Sequence, residues 1–360
     1  MLSGKLNLPA AGNNLGFNTT MAKKLKVAIN GFGRIGRTAF KAGWGRKGIS
    51  FVVINDLTSP EILAHLLKYD SVFRTWDHDV SHDEKHVIVD GVKIPVVAEK
   101  EPMKLPWKEY KVDVVMECTG RFTKMELAKQ HIAAGAKRVV ISSPAKEVPT
   151  YLMGVNHGAA KSGDTIVNNA SCTTNSIAPV AAIINDWFGI AKAMMTTIHS
   201  VTAEQNLVDG LPPALHPDLR RARSALINMV PTSTGAAKAA VEAIPSLQGL
   251  FDGIAVRVPT LDVSLSDFTF LLKRKTTADE VNGVFKKATK DKRWKGIIGV
   301  SEVPLVSSDF IGTTYSTVVD LEMTRVVDGD LVKVMAWYDN EWGYSMRLVD
   351  MVEHIGGLMK

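Results

Sequence analysis

The sequence predicts an α/β chain of two domains: an N-terminal parallel sheet wound with helices, then an α+β domain whose sheet is mainly antiparallel. Three observations support this. The chain has 360 residues, more than one ordinary hydrophobic core holds and near the size of two domains. Its first half alternates short β-branched runs with longer helical ones, as strands buried on both faces and joined by helical crossovers do. After Cys172 the extended segments lengthen and most alternate apolar with polar, the habit of antiparallel strands covered on one face.

Residues 1–20 hold one lysine and no run of seven apolar residues, so they lack the tripartite pattern of a secretory signal and are expected to be a disordered extension. Met21, directly before the first strand-like run, is a candidate alternative start, and a weak organelle-targeting role for the tail is the other reading. From Leu25, the segments LKVAIN, ISFVVIN, KVDVVMEC, AKRVVIS and DTIVNNA read as parallel strands. Helical stretches Ile35–Gly43, Pro60–Leu67 and Lys124–Ala134 lie between them. Val80–Val97, with its turn at Asp90 and Gly91, reads as an antiparallel excursion. Past Cys172, a helix over Asn175–Phe188 precedes the extended segments, and Gly210–Pro217, with three prolines, must be an ordered loop or a lid. Trp342–Leu358 reads as an amphipathic closing helix. The expected division is residues 21–170, completed by a C-terminal helix in 340–360, and a second domain over 171–339.

Hydrophobic residues make up 46% and charged ones 22%, which excludes disordered and fibrous classes. The longest apolar run, Ile177–Ile184, is interrupted by a proline and falls far short of the roughly 20 residues of a membrane span. Two cysteines, Cys118 and Cys172, form no CxxC pair, so no disulfide framework or cysteine-rich metal site is expected, and a reducing, cytoplasmic setting fits. A net charge of +6 favours anionic ligands without choosing among them.

The strand LKVAIN runs into Gly31, Phe32, Gly33, Arg34, Ile35 and Gly36, a GxGxxG with a strand before it and a helix after it. Without Cβ atoms at Gly31 and Gly33 the backbone can turn tightly and approach a pyrophosphate, which the helix N-terminus attracts. Asp56 ends the next strand, where a carboxylate accepts ribose hydroxyls and repels a 2′-phosphate, so the Rossmann-type domain is expected to take NAD and not NADP. Cys172 lies in the polar run Asn169–Asn175 just before a helix, where the dipole favours thiolate and a nucleophile belongs. Cys118, in an apolar strand, reads as core. Of nine histidines, His199 alone ends a strand-like run inside a polar segment and can serve as the base. His65, His78, His82, His86, His131, His157, His216 and His354 read as solvated. Arg220, Arg221, Arg223 and Arg257 suit phosphate, and Thr232, Ser233, Thr234 and Gly235 offer hydroxyls and a helix N-terminus.

Together GFGRIGR (31–37), NDL (55–57), ASCTTN (170–175), TIHS (197–200), LRRAR (219–223), TGAAKA (234–239), VRVPT (256–260) and WYDNEWGYS (337–345) resemble phosphorylating glyceraldehyde-3-phosphate dehydrogenases, in order from about Lys23 to the C-terminus. The resemblance implies a homotetrameric glycolytic enzyme oxidising D-glyceraldehyde 3-phosphate, with NAD and inorganic phosphate, to 1,3-bisphosphoglycerate through a thioester. It implies Cys172 as nucleophile and His199 as base. It further implies NAD contacts at Arg34, Ile35, Asp56, Thr119, Ser142, Asn340 and Tyr344, and phosphate contacts at Ser171, Thr173, Thr202, Arg220, Thr234, Gly235 and Arg257. No metal is implied.

Three positions depart from the family pattern: Lys100 in place of a frequent arginine, Val201 in place of a common tyrosine, and a longer Glu204–Leu219 loop with Asn206 where arginine is frequent. That loop bears on coenzyme choice and tetramer packing. A rival of the same superfamily acts on erythrose 4-phosphate. A nucleic-acid-binding or scaffold role is the rival from another class, and no RNP-like or basic-aromatic tract supports it.

Overall fold

The computed structural model describes residues 24–212 and 217–359. The expectations for residues 1–20, Met21, His216 and part of the proline-rich loop lie outside them. Internal contacts divide the described residues into two units, one of Cys172–Tyr344 and one of those up to Ser171 with those from Ser345 onward.

Through Ser171 the elements are β1 (Leu25–Asn30), α1 (Arg34–Gly43), β2 (Ile49–Asn55), α2 (Pro60–Lys68), β3 (Tyr69–Asp70), β4 (Arg74–Thr75), β5 (Val80–His82), β6 (His86–Val89), β7 (Val92–Val97), β8 (Val114–Glu117), α3 (Met125–Ala133), β9 (Arg138–Ile141) and β10 (Ile166–Asn168). The main sheet has eight strands in the order β10-β9-β8-β1-β2-β7-β6-β5. The five strands expected to be parallel are so paired. Strands β8 (VVME) and β9 (RVVI) are buried at every position, which is why their sequence is apolar but for one end residue each, Glu117 and Arg138, instead of alternating. The Val80–Val97 segment does form antiparallel strands, but it is no separate excursion, because β7 pairs in parallel with β2 (Ile54↔Val96, Asn55↔Val97) and carries the main sheet onward. A sequence-local pattern shows the hairpin and not the second edge it joins.

The other unit holds α4 (Cys172–Phe188), β11 (Ile190–His199), β12 (Val230–Ser233), α5 (Ala236–Ala243), β13 (Phe251–Arg257), β14 (Ser264–Leu272), α6 (Ala278–Ala288), β15 (Ile298–Ser301), β16 (Thr317–Val327) and β17 (Leu331–Tyr338). Its seven strands run β12-β13-β11-β14-β17-β16-β15 and are mainly antiparallel, with β11–β13 and β15–β16 the parallel exceptions. Helix α4 starts three residues before the expected Asn175, includes Pro179, and is buried continuously from Thr173 to Ile184, as a central helix apolar all round should be. It packs on β14, β16 and β17. Alternate residues of the sheet face outward, leaving Met194, Ile254 and Leu271 exposed. Last comes α7 (Trp342–Gly357), whose Ser345 hydroxyl lies 2.6 Å from that of Thr38 on α1 and whose Asp350 takes Arg46 at 2.6 Å.

A buried polar chain stiffens the ends of β1, β2 and β8. Asn55 donates to Asn30 (2.6 Å), and Asn30 donates to Glu117 (2.6 Å). Thr119 donates to Glu117 through both its backbone N–H and its hydroxyl. Trp107 Nε1–H donates to His131 Nδ1 at 2.9 Å, so the imidazole carries its hydrogen on Nε2 and donates it to Glu117 at 2.9 Å. His131 is thus fully buried and not solvated. The missed signal was the lone glutamate in an apolar strand, because a buried carboxylate requires donors.

Candidate active site

The glycine loop leaves β1 with Gly31 at φ +91°, a left-handed conformation that a Cβ would strain and where that Cβ would lie 2.9 Å from Thr119. Gly33 caps α1, uses no side chain to do so, and has no atom within 4 Å of where a Cβ would be, so the backbone there stays open to a ligand. At Gly36 a Cβ would fall 2.2 Å from the Gly31 carbonyl oxygen, so only glycine lets the helix lie against the turn. Arg37 donates to the Phe32 carbonyl oxygen at 2.9 Å and holds the loop's shape. Gly36→Ala is expected to cost about 1–3 kcal/mol by overpacking and to weaken NAD binding. Denaturant melts and a coenzyme titration check this, and wild-type values in both would contradict it.

Beside the loop is a cavity of about 300 Å³ lined by Asn30, Gly31, Gly33, Asp56, Thr119 and Phe122, among others. Asp56 follows β2 and accepts the Phe32 N–H (2.7 Å) and the Thr58 N–H (3.2 Å), so its carboxylate is anchored at the mouth of the glycine turn. A helix N-terminus without a side-chain cap, an open Gly33 and a fixed carboxylate fit a dinucleotide that carries a ribose without a 2′-phosphate. Of the other expected contacts, Arg34, Ile35 and Ser142 of the same unit do not line the cavity, and Tyr344 belongs to the other unit. Arg34 is ion-paired with Asp70 at 2.6 Å, Ser142 donates its backbone N–H to the Glu117 carbonyl, and Tyr344 is buried. Cys118 is not plain core, since it lines the cavity, and burial with the Glu117 charge pushes its thiol up to about 12, which keeps it unreactive.

In the other unit Cys172 occupies the first position of α4, with its Sγ 3.5 Å from His199 Nε2. Strand pairing brings His199, at the end of β11, beside Arg257, at the end of β13. The Ser200 carbonyl oxygen lies 2.7 Å from His199 Nδ1, a distance that demands an N–H there and leaves the Nε2 lone pair facing the thiol. The Arg257 Nη1 at 3.0 Å from Nδ1 then spends its hydrogens on the Ser200 carbonyl (3.2 Å) and the Thr202 hydroxyl (3.1 Å). Burial first, then the Arg257 charge, lowers His199 to about 3, so the imidazole is neutral. The helix terminus favours thiolate, but burial pushes the Cys172 thiol up to about 11, against the opposing pulls of Arg257 and Thr173. Desolvation outweighs the helix terminus. Cys172 is itself only half-buried, so an aldehyde can reach it. Behind the pair, the Tyr338 hydroxyl lies 2.9 Å from that of Thr173 and 2.7 Å from that of Thr197.

Among the anion candidates, Arg257 is held as described. Arg220 is exposed and tied to Asp218 at 2.8 Å. Its neighbour Arg221 donates to Thr232 (3.0 Å), is acted on by the Arg257 charge and acts in turn on His199, so Arg221 joins the site beside the Arg220 that the resemblance implies. Adjacent residues in LRRAR cannot be told apart by pattern. Thr234 accepts the Ala236 N–H, and Gly235 caps α5 without a side-chain bond, leaving a helix N-terminus suited to phosphate. Ser171 is half-buried directly before α4. Asn340 is buried, and its Oδ1 accepts from the hydroxyls of Ser200 (2.7 Å) and Ser264 (2.8 Å), which turns its amide N–H groups the other way. Among the described residues no cluster of metal-ligating side chains occurs and no helix is long and apolar enough to cross a membrane.

Residues 25–125 match the model of the glyceraldehyde 3-phosphate dehydrogenase NAD binding domain and residues 171–340 that of the C-terminal domain. The chain is 50% identical over 332 residues to glyceraldehyde-3-phosphate dehydrogenase 1 of Bacillus cereus, covering 92% of this chain and 98% of that protein. It is 50% identical over 330 residues to the Zymomonas mobilis glyceraldehyde-3-phosphate dehydrogenase, covering 91% and 97%. With the chloroplastic glyceraldehyde-3-phosphate dehydrogenase A of Chlamydomonas reinhardtii it shares 48% over 336 residues, covering 92% and 88%. With a glycine loop shaped for NAD and a thiol facing a neutral imidazole, the chain belongs to the glyceraldehyde 3-phosphate dehydrogenase family.

Proposed function

We propose that this chain oxidises D-glyceraldehyde 3-phosphate to 1,3-bisphosphoglycerate, using NAD and inorganic phosphate, with Cys172 as nucleophile and His199 as base. The supporting observation is the 3.5 Å approach of Cys172 Sγ to the Nε2 of an imidazole whose other nitrogen is tied to a carbonyl. Cys172 passes its thiol proton to Nε2 as sulfur bonds the aldehyde carbon. The oxyanion forms near the Cys172 N–H, which has no intrahelical acceptor at the first helical position, and near the newly protonated His199, which returns the proton. NAD would supply the acceptor for the hydride that the same carbon then loses. His199 takes the hydroxyl proton again, and a thioester remains on Cys172. A phosphate oxygen attacks, the C–S bond breaks, and sulfur recovers its proton from His199.

Gly31, Gly33, Arg34, Ile35, Gly36, Asp56, Thr119 and Ser142 are the residues assigned to NAD, together with Asn340, which would orient the nicotinamide, and Tyr344. Two anions must be held, the substrate phosphate and the attacking one. Burial and then the Arg257 charge lower the basicity of Arg221, which an anion held by the two would relieve, and Ser171, Thr173, Thr202, Arg220, Thr234 and Gly235 complete the assignment. The outward apolar residues Met194, Ile254 and Leu271 favour a homotetramer, and free thiols at Cys118 and Cys172 favour the cytoplasm.

NADH formation with and without inorganic phosphate tests the reading. Turnover is expected to continue only with phosphate and to stall near one equivalent without it, whereas undiminished phosphate-free turnover contradicts the acyl-transfer step. A tenfold preference in kcat/KM for erythrose 4-phosphate, about 1.4 kcal/mol, would move the substrate assignment.

A further inference from the structure

Asp262, in the loop between β13 and β14, is a buried acid that the chemistry above leaves unused. It is 2% exposed; its carboxyl oxygens find no well-formed donor among the described residues, and the groups acting on them are the Val263 N–H and the Asp339 carboxyl. The charges acting on it, from Asp339 and Glu341, are both negative. Asp339 is buried too, but its oxygens are well supplied: Oδ2 accepts the Gly312 N–H (2.7 Å), and Oδ1 accepts those of Glu341 (2.9 Å) and Trp342 (2.6 Å). Those last two bonds make the turn that carries Asn340. From the other side, Asp262 is followed by Val263 at φ +67°, a strained position for a β-branched residue. Next comes Ser264, whose hydroxyl holds Asn340 Oδ1 at 2.8 Å.

We propose that Asp262 is a positioning residue, a neutral carboxylic acid whose hydrogen bonds to the Asp339 carboxylate and ties the Val263–Ser264 segment to the turn that carries Asn340. Two neighbouring carboxyl groups removed from water cannot both ionise cheaply, so one proton stays with the pair. It sits on Asp262, because Asp339 already takes three N–H bonds that favour its charged form. Burial, then Asp339 and Glu341, pushes Asp262 from 3.8 up to about 9. The folded chain therefore keeps a proton that the unfolded chain releases, so the stability this proton confers declines as pH rises from about 4 to about 9 and is constant beyond. Above that range both carboxylates are charged, they repel, and Asn340 loses its register. The link to Asn340 rests on the reading of it as the nicotinamide partner; the shared proton does not.

The experiment compares the full-length wild type with Asp262→Asn, whose amide keeps the shape and donates to Asp339 without titrating, and with Asp262→Ala, which cannot donate. Melting temperature is read from pH 5 to 10, with kcat and the KM values for NAD and aldehyde from pH 7 to 10. Asp262→Asn is expected to melt above wild type by a margin that widens towards pH 9 and then holds, and to keep turnover at pH 9.5 where wild type declines. Asp262→Ala is expected to lose about tenfold or more in kcat through misplacement of Asn340, with the aldehyde KM unmoved. If wild type and Asp262→Asn melt in parallel at every pH, the shared proton is refuted, whether or not the enzyme turns over. If the proton is found but neither variant alters kcat, the positioning role is refuted. Should Asp262→Ala not fold, the pH dependence of Asp262→Asn decides both points.

Discussion

Cys172→Ser is expected to lower phosphate-dependent NADH formation by at least about 10⁴-fold, because a serine hydroxyl in this site has neither the acidity nor the nucleophilicity of the thiol and forms no activated thioester. NAD binding should persist, since the cavity beside the glycine loop is lined by residues before Cys172 in the chain. The variant should also fold, because oxygen is smaller than sulfur and the position is only half-buried. Steady-state assays, a coenzyme titration and a thermal melt on the same preparation separate these points. A serine variant that keeps a tenth of the activity would remove the covalent mechanism altogether.

His199→Asn is expected to cost about 10²–10⁴-fold at pH 7, with the deficit shrinking as pH climbs. The sign follows from the two groups: the thiol titrates near 11 and the imidazole near 3, so at pH 7 both are neutral and thiolate exists only as the proton moves to Nε2. Without the imidazole, hydroxide in solution must remove that proton, and the thiolate fraction grows about tenfold per pH unit below the thiol's own pKa. The rate of iodoacetamide alkylation gives this profile apart from turnover. In the wild type the rate at pH 7 should exceed that of the variant, and the two curves should converge towards pH 11. A constant ratio from pH 7 to 10 would mean that His199 is not the thiol's base.

Residues that act through their neighbours in sequence could be read from the sequence. The parallel strands announced themselves through continuous β-branched runs, since burial on both faces leaves no polar alternation. Gly31, Gly33 and Gly36 sit where strand meets helix, and their need to be glycine is local: a left-handed φ, an open backbone and a 2.2 Å approach across five residues. Cys172 was legible for the same reason, as the first residue of a helix opened by a polar run.

Pairing across distance was not legible. His199 and Arg257 meet because β11 and β13 align in parallel register across 58 residues, and nothing in either segment specifies that partner. The same holds for His131, which looked solvated until Glu117 and Trp107 closed around it, and for Arg221, which differs from Arg220 only in the direction of its side chain. The thiol's protonation was not legible for a related reason: the helix terminus is a local feature, whereas desolvation depends on everything packed around the site. The sequence by itself determined which chemical groups this protein carries, the helix and strand periods that display them, and the family it resembles. Only the tertiary structure decided which groups face each other and how dry their surroundings are, because strand register and burial come from the whole packed chain and not from any window of it.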